Sequence, residues 1–230
     1  GTEAGTVLVR DIQALTHDAD PDEVVAFNGM AYFTARDATH GTQLWRTDGT
    51  AAGTAMVTGL TGDGPVDPRD LTAFDGALYF TSDPHYRKEE LWKTDGTSEG
   101  TVLLYDAGYV SQLTPAGDHL FFCAKPGYYD EILCRTDGTV EGTISLRRSQ
   151  LEDPREMIDA GGRLFFTGYA SGFGRELWVS DGTEAGTYMV KDIRPGSPYP
   201  YIGSLAGANG LVFFTADDGQ SGEELWRSDG

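Results

Sequence analysis

Five polar residues recur at one place in this 230-residue chain, each five residues ahead of a two-residue turn signal: Glu23, Asp70, Gln112, Glu156 and Ser204. Three are carboxylates. Brought together, Glu23, Asp70 and Glu156 could bind a cation, or act as acid and base on a glycosidic bond, a reaction that needs two carboxyl groups flanking one oxygen. Spread around a solvated opening, the same residues would be an ordinary hydrated rim. The repetition favours the rim, because a catalytic centre needs different groups from different repeats and these copies are nearly uniform.

A second set of carboxylates is more regular still. Asp48, Asp95, Asp137, Asp181 and Asp229 each precede a glycine. They could form a ring of ligand sites, but Asp before Gly ordinarily accepts backbone N–H groups within its own turn, and that reading is preferred. Trp45, Trp92, Trp178 and Trp226 precede these Asp residues by three positions. Packing between strands suits them better than stacking on a sugar. The alternating Asp18, Asp20 and Asp22 resemble part of a calcium loop without its glycine and distal glutamate. Ca²⁺ is the one cofactor the sequence suggests, and none is required. Tyr86, Tyr128, Tyr129, Tyr169, Tyr199 and Tyr201, with His85 and Phe173, fall in expected loops. They differ from copy to copy, so they point to one or two unequal ligand sites for a glycan or a protein.

The elements that position these residues follow from internal repetition. Leu44-Trp45-Arg46-Thr47-Asp48-Gly49-Thr50 recurs at 91–97, at 133–139 with Cys134 for Trp, at 177–183, and at 225–230, where the chain ends. The continuation of the last copy stands at the start, as Thr2-Glu3-Ala4-Gly5-Thr6. Upstream of each copy lie an aromatic-rich pair (Tyr32-Phe33, Tyr79-Phe80, Phe121-Phe122, Phe165-Phe166, Phe213-Phe214) and a dipeptide suited to a tight hairpin: Asn28-Gly29, Asp75-Gly76, Gly117-Asp118, Gly161-Gly162, Asn209-Gly210. From the first turn residue to the Thr or Cys after the aromatics is six residues in every copy, and from there to the Trp or Cys is eleven. Only the connection to the next repeat varies.

Four short antiparallel strands at a period of 42 to 48 residues predict an all-β, five-bladed β-propeller. The expected domain is 1–230, with blades near 20–60, 66–106, 109–148, 153–193 and 200–230 plus 1–12. In this reading residues 5–12 supply the outer strand of the last blade and remove two unpaired edges.

The element Glu-Leu-Trp-x-x-Asp-Gly-Thr, complete at Glu90–Thr97 and Glu176–Thr183, resembles the bacterial ELWxxDGT repeat family. The resemblance covers essentially the whole chain. It implies a secreted or surface-attached bacterial protein, generally without an assigned activity. The five-fold architecture is also similar to that of tachylectin-2-type lectins, although the motif differs.

The remaining composition narrows the classes. A formal net charge of −19 repels nucleic acid and anionic lipid, and is read first as solubility. No apolar run approaches membrane-spanning length, so any export signal is expected to have been removed or to lie outside this sequence. Cys123 and Cys134 on neighbouring strands could form a cross-strand disulfide or stay as two buried thiols. No nucleophile motif, phosphate loop or zinc spacing occurs. The expectation is a monomeric, extracellular, non-catalytic binding or adhesion module. A glycosidase using Glu23, Asp70 and Glu156, or a purely structural repeat, are the alternatives.

Overall fold

A computed structural model describes residues 1–13, 18–57, 66–83, 88–106, 108–127, 131–146, 150–196 and 201–230. The fold is all-β and β-propeller-like, a succession of antiparallel sheets built from consecutive strands. The first sheet comprises β1 (Asp22–Phe27), β2 (Met30–Asp37), β3 (Gly41–Thr47) and β4 (Ala55–Met56). The second comprises β5 (Arg69–Phe74), β6 (Ala77–Ser82), β7 (Glu90–Thr94) and β8 (Val102–Tyr105). The third has β9 (Tyr109–Ala116), β10 (His119–Lys125), β11 (Ile132–Thr136) and β12 (Ile144–Ser145); the fourth has β13 (Glu152–Ala160), β14 (Arg163–Ala170), β15 (Gly174–Ser180) and β16 (Tyr188–Lys191). The fifth has β17 (Ile202–Ala208), β18 (Leu211–Asp217) and β19 (Glu223–Ser228). The chain packs as two compact units, residues 1–106 and 107–230.

The hairpin dipeptides do what their composition dictates. Asn28-Gly29, Asp75-Gly76, Gly161-Gly162 and Asn209-Gly210 all take positive φ at both positions, the conformation that matches the twist of the flanking strands. The second strand of each sheet carries its aromatic pair into the core, and Tyr32, Tyr79, Phe80, Phe121, Phe122, Phe165 and Phe166 are almost fully buried. Each such ring contributes roughly 2–3 kcal/mol of burial. Two successive strand residues point to opposite faces, so every aromatic pair fills both sides of its sheet.

The Asp-Gly-Thr turn is held by one hydroxyl–carboxylate network, repeated four times. In the second sheet, Asp95 Oδ1 accepts from Thr97 N (2.8 Å) and Thr97 Oγ1 (2.7 Å). Thr97 Oγ1 in turn accepts from Gly100 N at 3.0 Å, and Thr101 Oγ1 donates to the Thr97 carbonyl at 2.7 Å. Thr94 Oγ1 accepts from Gly96 N at 3.0 Å and lies 2.9 Å from Thr101 Oγ1. Asp48, Asp137 and Asp181 repeat the geometry. A Cβ at Gly53, Gly100, Gly142 or Gly186 would meet the aspartate within 2.0–2.1 Å, so this glycine is fixed by contact. The turn aspartates are therefore structural, as the sequence reading preferred.

Two expectations resolve differently. Cys123 lies opposite Leu133 and Cys134 opposite Phe122. That offset puts the two thiols on opposite faces of the sheet, so both are buried and no disulfide joins them. The expected outer strand over residues 5–12 is absent among the described residues. Glu3–Gly5 is a short 3₁₀ turn, residues 6–11 carry no strand, and the fifth sheet has three strands. Without a paired edge, a segment this short has no ladder to define it. Its end is nonetheless anchored. The Arg10 guanidinium lies 6.0 Å above the Trp45 ring and donates to the Thr54 carbonyl, and Ile12 packs on Phe33, Ala35 and Trp45.

The four turn aspartates are held below the usual carboxylate range, chiefly by the hydrogen bond from the following threonine hydroxyl. A carboxyl whose folded pKa lies below its unfolded value contributes stability that is full above the unfolded pKa, near 4, and is lost as pH falls through the folded value. Thermal melts from pH 6 to 2 should therefore lose stability below about pH 4, and Asp95→Asn should flatten that limb. Gly142→Ala should cost about 2 kcal/mol in urea denaturation, as the Asp137 carboxylate is forced off its donors.

Candidate functional site

The five recurrent polar residues share a backbone state that the sequence does not announce. Glu23, Asp70, Gln112, Glu156 and Ser204 have φ between 52° and 58°. Each sits where the first strand of its sheet slips register against the second, the first residue of a β-bulge. The residue before each bulge lies opposite the strand Thr or Cys counted in the sequence spacing: Asp22 with Thr34, Arg69 with Thr81, Ser111 with Cys123, Arg155 with Thr167, Gly203 with Thr215. In four sheets that threonine hydroxyl donates to the carbonyl of this preceding residue at 3.2–3.4 Å. Non-glycine residues are held left-handed at a cost of about 1–2 kcal/mol each, so the surroundings must over-determine them.

Their side chains tie strands together. Glu23 Oε2 accepts from Leu71 N at 2.9 Å, which joins the first sheet to the first strand of the second. Gln112 Nε2 donates to the Pro154 carbonyl at 3.3 Å, joining the third to the fourth. Asp70 Oδ2 accepts from Thr81 Oγ1 at 3.2 Å within its own sheet. Glu23 and Asp70 are thus committed to the scaffold, and Glu156 belongs to the other compact unit.

The remaining sequence candidates are dispersed. Tyr86, Tyr128, Tyr129 and Tyr199, with His85, lie outside the described residues. Tyr169 is half-buried on β14, Tyr201 is half-exposed, and Phe173 is exposed beside β15. Asp22 caps the following residue, its Oδ1 accepting from Glu23 N at 2.8 Å. Among the described residues no three His, Cys, Asp or Glu side chains come together to hold a metal ion, so Asp18, Asp20 and Asp22 do not converge on one.

A cleft that sequence reasoning missed lies in the first unit. Arg36, His40, Gly41, Thr42, Val66, Asp67, Arg69 and Asp83 line a space of about 490 Å³. The β2–β3 hairpin supplies the first four, and the segment entering β5 supplies Val66, Asp67 and Arg69. Backbone bonds fix that segment: Asp67 N donates to the Thr42 carbonyl at 3.1 Å, and Ser82 Oγ both accepts from Val66 N (2.8 Å) and donates to its carbonyl (2.6 Å). Asp67 pairs with Arg69 and raises its pKa. His40 Nδ1 lies 2.8 Å from Asp37 Oδ2. Burial works to raise the Asp37 pKa, but hydrogen bonds from the His40 ring and from the His40 and Thr39 amides hold it below the usual range. The Arg36 side chain has no partner among the described residues. Two guanidiniums and an imidazole in one cleft, on a chain of formal charge −19, favour an anionic group, while Asp67 and Asp83 can accept from hydroxyls. The available signal was that Arg36 breaks the repeat: Asp83, Lys125, Tyr169 and Asp217 hold the matching positions.

No protein-family model matches the chain, and no curated protein matches it either. Its backbone is similar to parts of solved peptidases. An acylaminoacyl peptidase from Pyrococcus horikoshii aligns with TM-score 0.55 at 11% identity, over 91% of this chain and 37% of the peptidase. A puromycin-hydrolysing peptidase from Mycobacterium tuberculosis aligns with TM-score 0.55 at 16% identity, over 91% and 36%. One of two prolyl endopeptidases analysed together aligns with TM-score 0.57 at 11% identity, over 92% and 34%. At such identities the likeness is one of fold, and the chain spans about a third of each of these three proteins.

Replacing Ser204 by Gly should raise stability by roughly 0.5–1 kcal/mol, because the left-handed cost vanishes and no hydrogen bond to another strand is lost. Replacing Glu23 by Ala should lower it by about 1–2 kcal/mol, because the Leu71 amide loses its acceptor. Urea titration of both variants checks the assignment of these positions to the scaffold.

Proposed function

We propose that the chain is a non-catalytic binding or adhesion module of a secreted or surface-attached bacterial protein of the ELWxxDGT repeat type. It recognises a glycan or a protein through the face that carries the Arg36–Arg69 cleft. The observation that carries this reading is the Arg36 guanidinium, without a partner among the described residues, lining a cleft at a position where the repeats differ. The two candidate carboxylates of the first unit are engaged in strand-to-strand hydrogen bonds, which supports a scaffold role over glycoside hydrolysis.

We further propose that the scaffold is a single five-bladed ring in which residues 5–12 complete the fifth blade. Both halves of the fifth turn support this. At the start of the chain, Gly5 N donates to Thr2 Oγ1 (3.1 Å) and Thr6 Oγ1 to the Thr2 carbonyl (3.0 Å), as the matching groups do after Asp48. At the other end, Gly230 N donates to Ser228 Oγ at 3.0 Å, as Gly49 N does to Thr47 Oγ1. Arg10 and Ile12 also sit on Trp45 as Lys191 and Ile193, at the exit of β16, sit on Trp226.

Glycan arrays and pull-downs with the wild-type chain and Arg36→Ala test the binding reading. An acidic ligand should be found and should bind at least tenfold more weakly to the variant, the loss of one charge-assisted contact. No ligand at high concentration would favour a purely structural repeat, and equal binding by the variant would remove the cleft from the account.

A further inference from the structure

The fourth sheet contains a pair of carboxylates that no cation balances among the described residues. Glu176 on β15 is fully buried. Its Oε2 accepts from Ile193 N at 3.3 Å, whereas its Oε1 is buried without a hydrogen-bond partner. Asp192, just beyond β16, likewise has a buried and unpartnered Oδ1. The neighbouring cations are engaged elsewhere: Arg175 pairs with Asp153, Arg194 with Asp217, and Lys191 lies over Trp226. Burial first, and then the charge of Asp192, push the Glu176 pKa up to about 7. Burying carboxylate oxygens without a partner is costly unless the group takes up a proton or a cation supplies the charge.

The repeat indicates what is missing. Glu90 and Asp106 hold the same two positions in the second sheet, again sixteen residues apart. There the chain supplies its own cation: the Lys88 ammonium pairs with Asp106 and also interacts with Glu90. The residue matching Lys88 in the fourth sheet is Gly174. The first and third sheets have Gln43 and Ile132 at the Glu position, and Glu224 of the fifth is exposed to water, so the demand for a cation does not arise in them.

We infer that Glu176 and Asp192 bind a hard divalent cation, of which Ca²⁺ is the type, in the place that the Lys88 ammonium takes in the second sheet. Two anionic oxygen donors, with no imidazole or thiolate beside them, select a hard ion over zinc or copper. Water and backbone carbonyls complete the coordination.

The test is thermal denaturation of the EDTA-treated chain against increasing CaCl₂, with isothermal titration for stoichiometry. A saturable rise in midpoint, following the ligand-linkage law, with about one ion bound per chain is expected. Glu176→Gln should be at least as stable as wild type in EDTA, because it removes a buried charge, and should lose the response to Ca²⁺. Asp192→Asn should weaken the response at least tenfold. Lys88→Met should create a second site and raise the stoichiometry towards two. An absence of any Ca²⁺ response in the wild type, a response that survives in both carboxylate variants, or an equal response to NaCl at matched ionic strength would overturn the assignment. None of these readouts depends on the ligand of the Arg36 cleft.

Discussion

Everything in this architecture depends on each sheet having two apolar faces that must both be covered. The aromatic pair of the second strand and the Leu-Trp pair of the third put large side chains on both sides of the same sheet. Leu44 packs with Leu71, Leu78, Phe80 and Trp92 of the following sheet, and Leu177 packs with Val212, Phe214 and Ala216 of the one after it. A single sheet of this kind could not bury its surface, and stacking spreads one core through successive neighbours. The same requirement explains the N-terminal arm. Arg10 and Ile12 cover Trp45. Leu225 is the exception: it is 72% exposed, while Leu44, Leu91, Leu133 and Leu177 at the matching position are buried.

Much of the scaffold was legible because turn chemistry is local. Asp75-Gly76 can close only a tight hairpin, and the Thr-Asp-Gly-Thr run carries its own hydrogen-bond network, so the four strands of the second sheet fall inside the expected blade at 66–106. The fixed spacing of six and eleven proved to be the register that sets a threonine hydroxyl against the carbonyl of the residue before the bulge. The bulge itself was not legible. Glu23, Asp70 and Ser204 take left-handed backbone without glycine, because the neighbouring strand imposes it. The cysteine pair turned on a one-residue offset that sequence spacing does not contain.

The sites were less legible than the scaffold, for a related reason. The eye is drawn to what repeats, and the turn aspartates, the tryptophans and the bulge carboxylates all repeat because they hold the fold. Arg36 and Arg69 are 33 residues apart and become neighbours only when two consecutive sheets meet. Glu176 belongs to the most regular motif in the chain. Only the contrast between Lys88 in one copy and Gly174 in another separates a self-neutralised pair from one that needs an ion. In this protein, specific chemistry lies where one copy lacks what another has.

The proposed closure of one five-bladed ring by its own first residues is tested most directly by a designed disulfide. In the complete sheets, Lys93 lies opposite Val102 and Val179 opposite Tyr188; in the proposed ring the same register would place Val7 opposite Arg227. Val7→Cys combined with Arg227→Cys, oxidised under mild conditions at low protein concentration and mapped by peptide mass spectrometry, should give an intramolecular 7–227 link in a monomer, with a raised melting temperature. Failure to form that link, or its appearance only between two chains, would contradict a ring closed within one molecule.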